Sequence, residues 1–484
     1  MNNVDFVDTT LRDGHHSLWA QGMRTGMMLP VAKRLDQMGF RAIEVIGTGH
    51  FKKCIRELRE NPWTRIDLMN ERITHTPISF MMATSVTAFD ITPFALLELY
   101  VHRLVAHGVD RIQVMDPSND MSHRIPEAVG FIQAAGADAV IGLVFSESPV
   151  HTDDYYEARA RAAAALSPAA IFIKDSAGLL TPERTRTLVP AVQRGAGNVH
   201  VEFHSHCTTG LAPICYVEAM KLGVQTMHTA IPPLANGSSQ PSLPAVVHNA
   251  RLLGLDTRIN LVGIESITEH FTRIAHAENL AVGAPVEYDI AQYLHHVPGG
   301  VISHLRHQLT QIGQLHRLPE VLKEIAQVRE DLGYPIMVTP FSQFICSQAT
   351  LNVILGERYL QVPDQLIQFA LSMWGKEAGV SMNAQVRDKI LSKSRTGEIT
   401  ALKNEQPTLD QIRAKYGRDL SDEDLLLHYI APSGEVQAMH DAGPPRMYGE
   451  GPEPLELLLA KLLEQRKFKR FSFSKGDVRV NVHG

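Results

Sequence analysis

Ala170-Ile171-Phe172-Ile173-Lys174 and His200-Val201-Glu202-Phe203-His204-Ser205-His206 are two β-rich segments separated by a stretch long enough for one helix. Working outward from this pair, six more segments read the same way: Asp5–Asp8, Ala42–Gly47, Ile78–Ala83, Arg111–Asp116, Val140–Phe145 and Gln225–Ala230. The eight recur roughly every 25–35 residues, with amphipathic patterns such as Met28–Leu35 and Leu96–Val101 between them. Strands alternating with helical spacers give right-handed βαβ units and a parallel sheet. Eight units within about 235 residues predict an α/β fold, a (β/α)8 TIM barrel. An open doubly wound sheet is the rival, but no G-x-G-x-x-G follows the first strand.

Barrel active sites form at the carboxyl ends of the strands, so polar residues there count together. Asp8 to Asp13 follow the first strand, Asp116 ends the fourth, Lys174 the sixth, and His204 and His206 the seventh; His228 lies in the eighth. In an extended strand, imidazoles at i and i+2 share a face and can grip one metal. Alone, an H-x-H is more often two ordinary polar residues. With Asp13 and Lys174 at the same rim, two imidazoles and a carboxylate form a divalent-metal set suited to zinc, and also to manganese or cobalt. Lys174 by itself fits a Schiff-base nucleophile, an ion-pair partner, a solvated strand end or a carbamate formed with CO2, and spacing does not choose among them. Arg12 suits a substrate carboxylate or enolate, or a plain surface charge on a helix-start loop.

The 484 residues are 44 % hydrophobic and 20 % charged, an ordinary globular composition with length for two or three domains. A net charge of −6 gives no reason to expect nucleic acid or an anionic membrane as partner. There is no apolar run of membrane-spanning length and no signal-peptide pattern at the N-terminus. Cys54, Cys207, Cys215 and Cys346 are far apart, without C-x-x-C, so neither a disulfide framework nor a zinc knuckle is expected. A cytoplasmic enzyme is the expectation.

Residues 1–295 are read as the barrel with its metal site, and 296–440 as a helical domain. Its helices are expected at Val301–Gln311, Leu318–Leu332, Phe341–Leu355, Gln365–Trp374 and Leu409–Tyr416. Residues 441–484 are read as linker and tail: Ala431–Glu453 is rich in Pro and Gly, a helix follows over Pro454–Gln465, and Phe471–Phe473 with Val478–Val482 suggest a hairpin. Three signals are discounted. Ala219-Met220-Lys221 resembles a biotin attachment core but lies within a barrel helix, the basic run Arg466–Arg470 reads as a solvated or assembly face, and Cys207 as a small filler beside His206.

Taken in order, the motifs resemble the biotin-dependent carboxyltransferase family: the carboxyltransferase domain of pyruvate carboxylase, the oxaloacetate decarboxylase alpha subunit and the matching transcarboxylase subunit. They are Asp8-Thr9-Thr10-Leu11-Arg12-Asp13, Gly22-Met23-Arg24-Thr25, Asn61-Pro62-Trp63, Ile173-Lys174-Asp175-Ser176-Ala177-Gly178-Leu179, His204-Ser205-His206, Ser239-Gln240-Pro241, Pro298-Gly299-Gly300 and Val338-Thr339-Pro340. The first motif alone also fits metal-dependent lyases and condensing enzymes. The resemblance implies that Asp13, His204 and His206 bind a divalent metal, with carbamylated Lys174 as fourth ligand. Thr339 would shuttle a proton between biotin and the acceptor carbon, and Arg12 would face substrate. Carboxybiotin would arrive on a carrier protein or subunit in trans, the acceptor would be a small 2-oxo acid-like carbonyl compound reacting through a metal-stabilised enolate, and the chain would form a homodimer or higher oligomer.

The acceptor pocket departs from the family. Its third-strand arginine falls on Met82 or Ala83 within Met81-Met82-Ala83-Thr84-Ser85, its glutamine after the first metal ligand on His16, and its pocket aspartate on Lys52. These five positions, Arg12, His16, Lys52, Met82 and Ala83, are the expected acceptor contacts, and pyruvate is not the expected preference. No terminal Met-Lys-Met and no phosphate-binding glycine loop is evident, so one subunit of a larger system is expected. The rivals are a biotin-independent metal lyase or aldolase on the same barrel, and a non-catalytic scaffold subunit.

Overall fold

Apolar runs such as Ala42–Gly47 and Ala170–Asp175 are buried along their whole length, which in a parallel sheet requires helices on one face and packed side chains on the other. The computed structural model meets that requirement by closure; it describes residues 3–87, 90–290, 292–297, 299–402, 406–449, 470–475 and 478–483. Strands β1 (Asp5–Asp8), β2 (Ala42–Gly47), β3 (Ile78–Ala83), β4 (Arg111–Met115), β5 (Asp138–Val144), β6 (Ala170–Asp175), β7 (Val201–Ser205) and β8 (Thr226–Thr229) form a closed barrel in chain order. β1 pairs parallel with β8, from Asp5 opposite Thr226 to Asp8 opposite Thr229, and so leaves no sheet edge.

Local chemistry starts the surrounding helices. Thr152 and Thr181 accept from the backbone N–H groups of Tyr155 and Arg184, and Asn61 accepts from Trp63 with Pro62 in the first turn. Inside the barrel, Met81, Met115, Val140, Ala170 and Phe172 pack together. Above and around them stand the buried polar residues that make the site.

A second core, from Val297 to Ile399, is built by the helices from Gly299–Gln311 to Thr396–Leu402. The chain then returns to the barrel. Helices Leu409–Tyr416, Asp422–Ile430 and Ser433–Asp441 bury Ile412, Leu425, Leu426, Leu427, Ile430, Val436 and Met439 in the barrel's own core. Amphipathic periodicity shows that a helix buries a face, but not against which neighbour. The expected linker at Ala431–Glu453 also differs: Pro432 is the N-cap of Ser433–Asp441, a role proline fills at helix starts as readily as in loops. In the tail, Arg470–Lys475 pairs antiparallel with Val478–His483; the expected helix Pro454–Gln465 and most of the basic run lie outside the described residues.

The helical unit docks on the loops after β4 and β5. Buried Arg329 donates to Ser146 Oγ at 2.9 Å and to the Glu147 carbonyl at 3.0 Å, and Asp120 accepts from the Lys376 and Glu377 backbone N–H groups. Among the described residues no helix is long and apolar enough to cross a membrane.

Candidate active site

The turn after β1 carries the first acid. Thr10–Gly14 is a π-helical turn closed by the Gly14 N–H to Thr9 carbonyl bond at 2.9 Å, and such single turns widen a helix where side chains must be re-aimed. Here it aims Asp13 across the mouth towards β7. Asp13 Oδ2 lies 3.0 Å from His204 Nε2 and 3.4 Å from His206 Nε2, and the two imidazole nitrogens are 3.1 Å apart. All three residues are buried, and their ligand atoms lie within 4.8 Å of one another. Lys174 Nζ stands 3.0 Å from His204 Nε2 and 3.3 Å from Asp13 Oδ2. Gln240 Nε2 is 3.2 Å from Asp13 and 3.0 Å from His206 Nε2, while its oxygen accepts from the Thr9 hydroxyl at 2.7 Å.

Electrostatics suit cation binding. Burial alone would raise the Asp13 carboxyl, but Arg12, Lys174 and His206 together hold it well below the usual carboxylate range. Burial, reinforced by Lys174, pushes His204 well below the ordinary histidine value, so its ring is neutral and has a lone pair to give. His206 Nδ1 lies 2.6 Å from the Ser238 carbonyl, which makes that nitrogen the donor and leaves Nε2 as the ligand atom. One carboxylate oxygen and two oriented imidazole nitrogens fit a divalent cation.

The loop after β6 is shaped around this cluster. Asp175 accepts from the Leu179 and Leu180 N–H groups at 2.8 and 2.9 Å and from Ser205 Oγ at 2.7 Å. Gly178 has φ +67°, and a Cβ there would stand 2.6 Å from the His206 carbonyl oxygen. The glycine of the lysine motif is therefore required twice, by conformation and by space.

From the sequence Arg12 is expected to face substrate, and several of the buried groups around the site escape the sequence reading. Arg12 donates through Nε to Glu44 at 2.6 Å, pairs with it again through Nη2, and lies 3.2 Å from Asp13, so its charge is shared with two carboxylates rather than held free for substrate. Glu44 also accepts from Gln113, and Glu202 pairs with Arg111 and His228. A lone charge in an apolar strand, Glu44 in Ala42–Gly47 or Glu202 in Val201–Ser205, was the available signal. His50 is 2 % exposed, neither ring nitrogen is hydrogen-bonded among the described residues, and its ring centroid lies 4.9 Å from His15 and 5.3 Å from His16.

The expected acceptor contacts fare unequally. His16 is open to solvent and bonds Gln21 at 3.1 Å; the protein around it, with Arg12 and Lys174, lowers it to about 4. Met82 corrects the expectation: it belongs to the core between barrel and helices, while Met81 joins the interior. Strand alternation puts Ala83, not Met82, on the inner face. Lys52 is exposed on the helix Thr48–Lys53. Thr339 is exposed just before the helix Phe341–Leu355, and its hydroxyl accepts from Gln343 at 2.8 Å. Burial pushes the Cys207 thiol upward, away from nucleophilic use.

Comparison with known proteins agrees with this architecture. Residues 3–270 match a family model described as HMGL-like, and residues 293–440 one described as a conserved carboxylase domain. The pyruvate carboxylase subunit of Methanocaldococcus jannaschii that matches is 32 % identical over 469 residues, covering 95 % of this chain and 81 % of the relative. The 2-oxoglutarate carboxylase large subunit of Hydrogenobacter thermophilus is 29 % identical over 469 residues, covering 94 % and 70 %. The carboxyl transferase domain of Rhizobium etli pyruvate carboxylase superposes with a TM-score of 0.82 at 23 % identity, over 92 % of this chain and 78 % of that one. Barrel and helical unit thus match together, in one order and over nearly the whole length, and the chain belongs to the biotin-dependent carboxyltransferase family as one of its enzymes.

Proposed function

We propose that the chain moves CO2 between carboxybiotin on a separate carrier and a small 2-oxo acid-like acceptor, with Asp13, His204 and His206 holding a divalent cation. The observation that carries this reading is the set of three buried ligand atoms within 4.8 Å at the barrel mouth. Membership of the family favours it over a biotin-independent lyase or a scaffold. Zinc suits the donor set best, and manganese or cobalt would also serve.

Bound there, the cation supplies Lewis acidity for the acceptor oxygen. The remaining roles belong to side chains. Burial, with Arg12 adding to it, lowers the Lys174 amine despite Asp13 beside it, which shifts it toward the neutral form that adds to CO2. That addition releases one proton, and the carbamate oxygen would give the cation a fourth ligand beside Asp13, His204 and His206. Arg12, beside Asp13, lends positive potential where enolate charge develops. Thr339 is assigned the proton transfer: the N–CO2 bond of carboxybiotin breaks, the acceptor carbon loses its proton through the Thr339 hydroxyl to the biotin nitrogen, and the carbanion bonds CO2. Supporting this role, the Thr339 hydroxyl is exposed just before Phe341–Leu355 and already accepts from Gln343 Nε2 at 2.8 Å, which leaves its own proton to be donated.

The acceptor is proposed to be other than pyruvate. A carboxylate that loses a forked guanidinium contact loses roughly 2–5 kcal/mol, or about 30- to several-thousand-fold in affinity, and Met81 and Ala83 offer no such contact on the inner face of β3. His16, backed by His50 and His15, offers hydrogen-bonding nitrogens instead, which suits a larger carbonyl compound. The test supplies the chain with carboxylated biotin carrier and compares kcat/KM for pyruvate, 2-oxoglutarate, simple ketones and acyl-CoAs. Transfer that disappears in His206→Ala together with bound metal is expected. Active metal-free wild type would sink the metal assignment, and highest kcat/KM for pyruvate would sink the acceptor assignment.

A further inference from the structure

A histidine and a carboxylate inside the barrel continue the cluster inward. His204 uses Nε2 towards Asp13 and His206, and its other nitrogen, Nδ1, lies 3.2 Å from His228 Nδ1. His228 Nε2 in turn lies 3.0 Å from Glu202 Oε2. His204, His228 and Glu202 are all 0 % exposed, so no solvent competes for these bonds. Phe172 stacks on the His228 ring at 5.5 Å between centroids and 19° between planes, and Arg111 pairs with Glu202. The three side chains therefore have little freedom to turn.

The direction of the bonds follows from their ends. A carboxylate flanked by Arg111 can only accept, so His228 donates through Nε2, and its Nδ1, with Glu44 Oε1 3.7 Å away and beyond hydrogen-bond distance, presents its lone pair to His204. That lone pair accepts from His204, which must place the His204 proton on Nδ1. His204 Nε2 is then bare and faces Asp13 and His206. The opposite order would put the His204 proton on Nε2, where a cation belongs, and would set the His228 lone pair 3.0 Å from the Glu202 oxygen, closer than the 3.7 Å at which Glu44 stands from Nδ1.

We propose that His228 and Glu202 are positioning residues that fix His204 in the tautomer and orientation required of a metal ligand. The proposal rests on the reading that Asp13, His204 and His206 hold a divalent cation. Outer partners of this kind typically contribute about 10- to 100-fold in metal affinity.

The test measures Co2+ binding to the full chain, stripped of metal, by competition with a chromophoric chelator and by the visible spectrum of the bound ion. Wild type should bind one Co2+ per chain, and His206→Ala should lose most of that affinity. His228→Phe keeps the ring shape without hydrogen bonds, and should weaken binding by about 10- to 100-fold with an altered spectrum and an unchanged circular dichroism. His228→Asn sets an acceptor oxygen near the place of Nδ1 and should recover most of the affinity. Glu202→Gln should bind more weakly than wild type, and decides the matter if His228→Phe does not fold. His228→Phe or Glu202→Gln binding within two-fold of a wild type that His206→Ala disables would overturn the proposal and leave the metal site standing. Wild type that binds no Co2+ would overturn the metal reading itself.

Discussion

Asp8 closes β1 with a fully buried carboxyl whose acceptance of the Thr10 hydroxyl only partly offsets desolvation, and its pKa is pushed up to about 7. The folded value lies above the unfolded one, near 3.9, so the native state holds this proton more tightly. Stability from Asp8 is present below about pH 4 and is lost as pH rises to about 7. Asp8→Asn keeps the acceptor for Thr10 without the charge. Urea unfolding of both proteins should show the variant gaining on wild type by more than about 1 kcal/mol between pH 5 and pH 8; an equal difference at both would refute the assignment. Thr339 differs in kind, because it is exposed and supports no packing. Thr339→Ala should lower carboxyl transfer about 10²-fold with metal content and melting temperature unchanged, which paired turnover and elemental measurements would check. The metal candidates were legible because Asp13 follows β1 and Lys174 and His204 lie near the ends of β6 and β7, where strand ends must converge. Glu44 and His50 were not, since whether a buried polar group is paired, and with what, is settled by residues distant in the chain.

At the scale of elements, helix packing depends on close approaches that local propensity does not reveal. Gly195 lies near the end of the helix Pro182–Ala196, where a Cβ would stand 2.2 Å from the Glu157 carbonyl oxygen and 2.8 Å from Ala160 Cβ. Alanine there gains about 1 kcal/mol of helix propensity, yet must push this helix away from Asp153–Ala164. Gly195→Ala should therefore destabilise the barrel by roughly 1–3 kcal/mol, read as a lower urea midpoint; a raised midpoint would show that the two helices can separate freely. The strand spans were legible to within two residues, as with Ala42–Gly47, and so was the helix Phe341–Leu355, whereas the expected helix Gln365–Trp374 runs over Asp364–Ala370 and a helix occupies Ser433–Asp441 in the expected linker. The π-helical turn at Thr10–Gly14 was not legible, because a single widened turn is too short to leave a periodicity in the sequence.

At the scale of the whole molecule, the helical unit must hold Thr339 in a fixed relation to the barrel if carboxyl transfer is to use both. Arg329 is one buried link, Asp120 another: Arg329 reaches Ser146, Glu147 and the Pro335 carbonyl, and burial lowers it to about 10, still charged at neutral pH. Arg329→Met keeps much of the apolar stem and removes the donors. Hydrogen exchange across Leu318–Leu355 should quicken and carboxyl transfer fall at least about 10-fold, while metal binding at Asp13, His204 and His206 stays intact. Unchanged exchange together with unchanged transfer would show that the docking does not depend on this arginine.

By itself the sequence determined the barrel, its eight strands, the helical unit that follows and the acid and histidines at the strand ends, because period-two and helical repeats are local and barrel closure gathers strand ends without further information. Only the tertiary structure decided that Met82 turns outward while Ala83 faces in, that Arg12 is tied to Glu44, that the helices after Leu409 pack on the barrel, and that Glu202 and His228 stand behind His204. Each of these is a pairing between residues far apart in the chain, fixed by which neighbour fills the space and accepts the hydrogen bond once the barrel has closed.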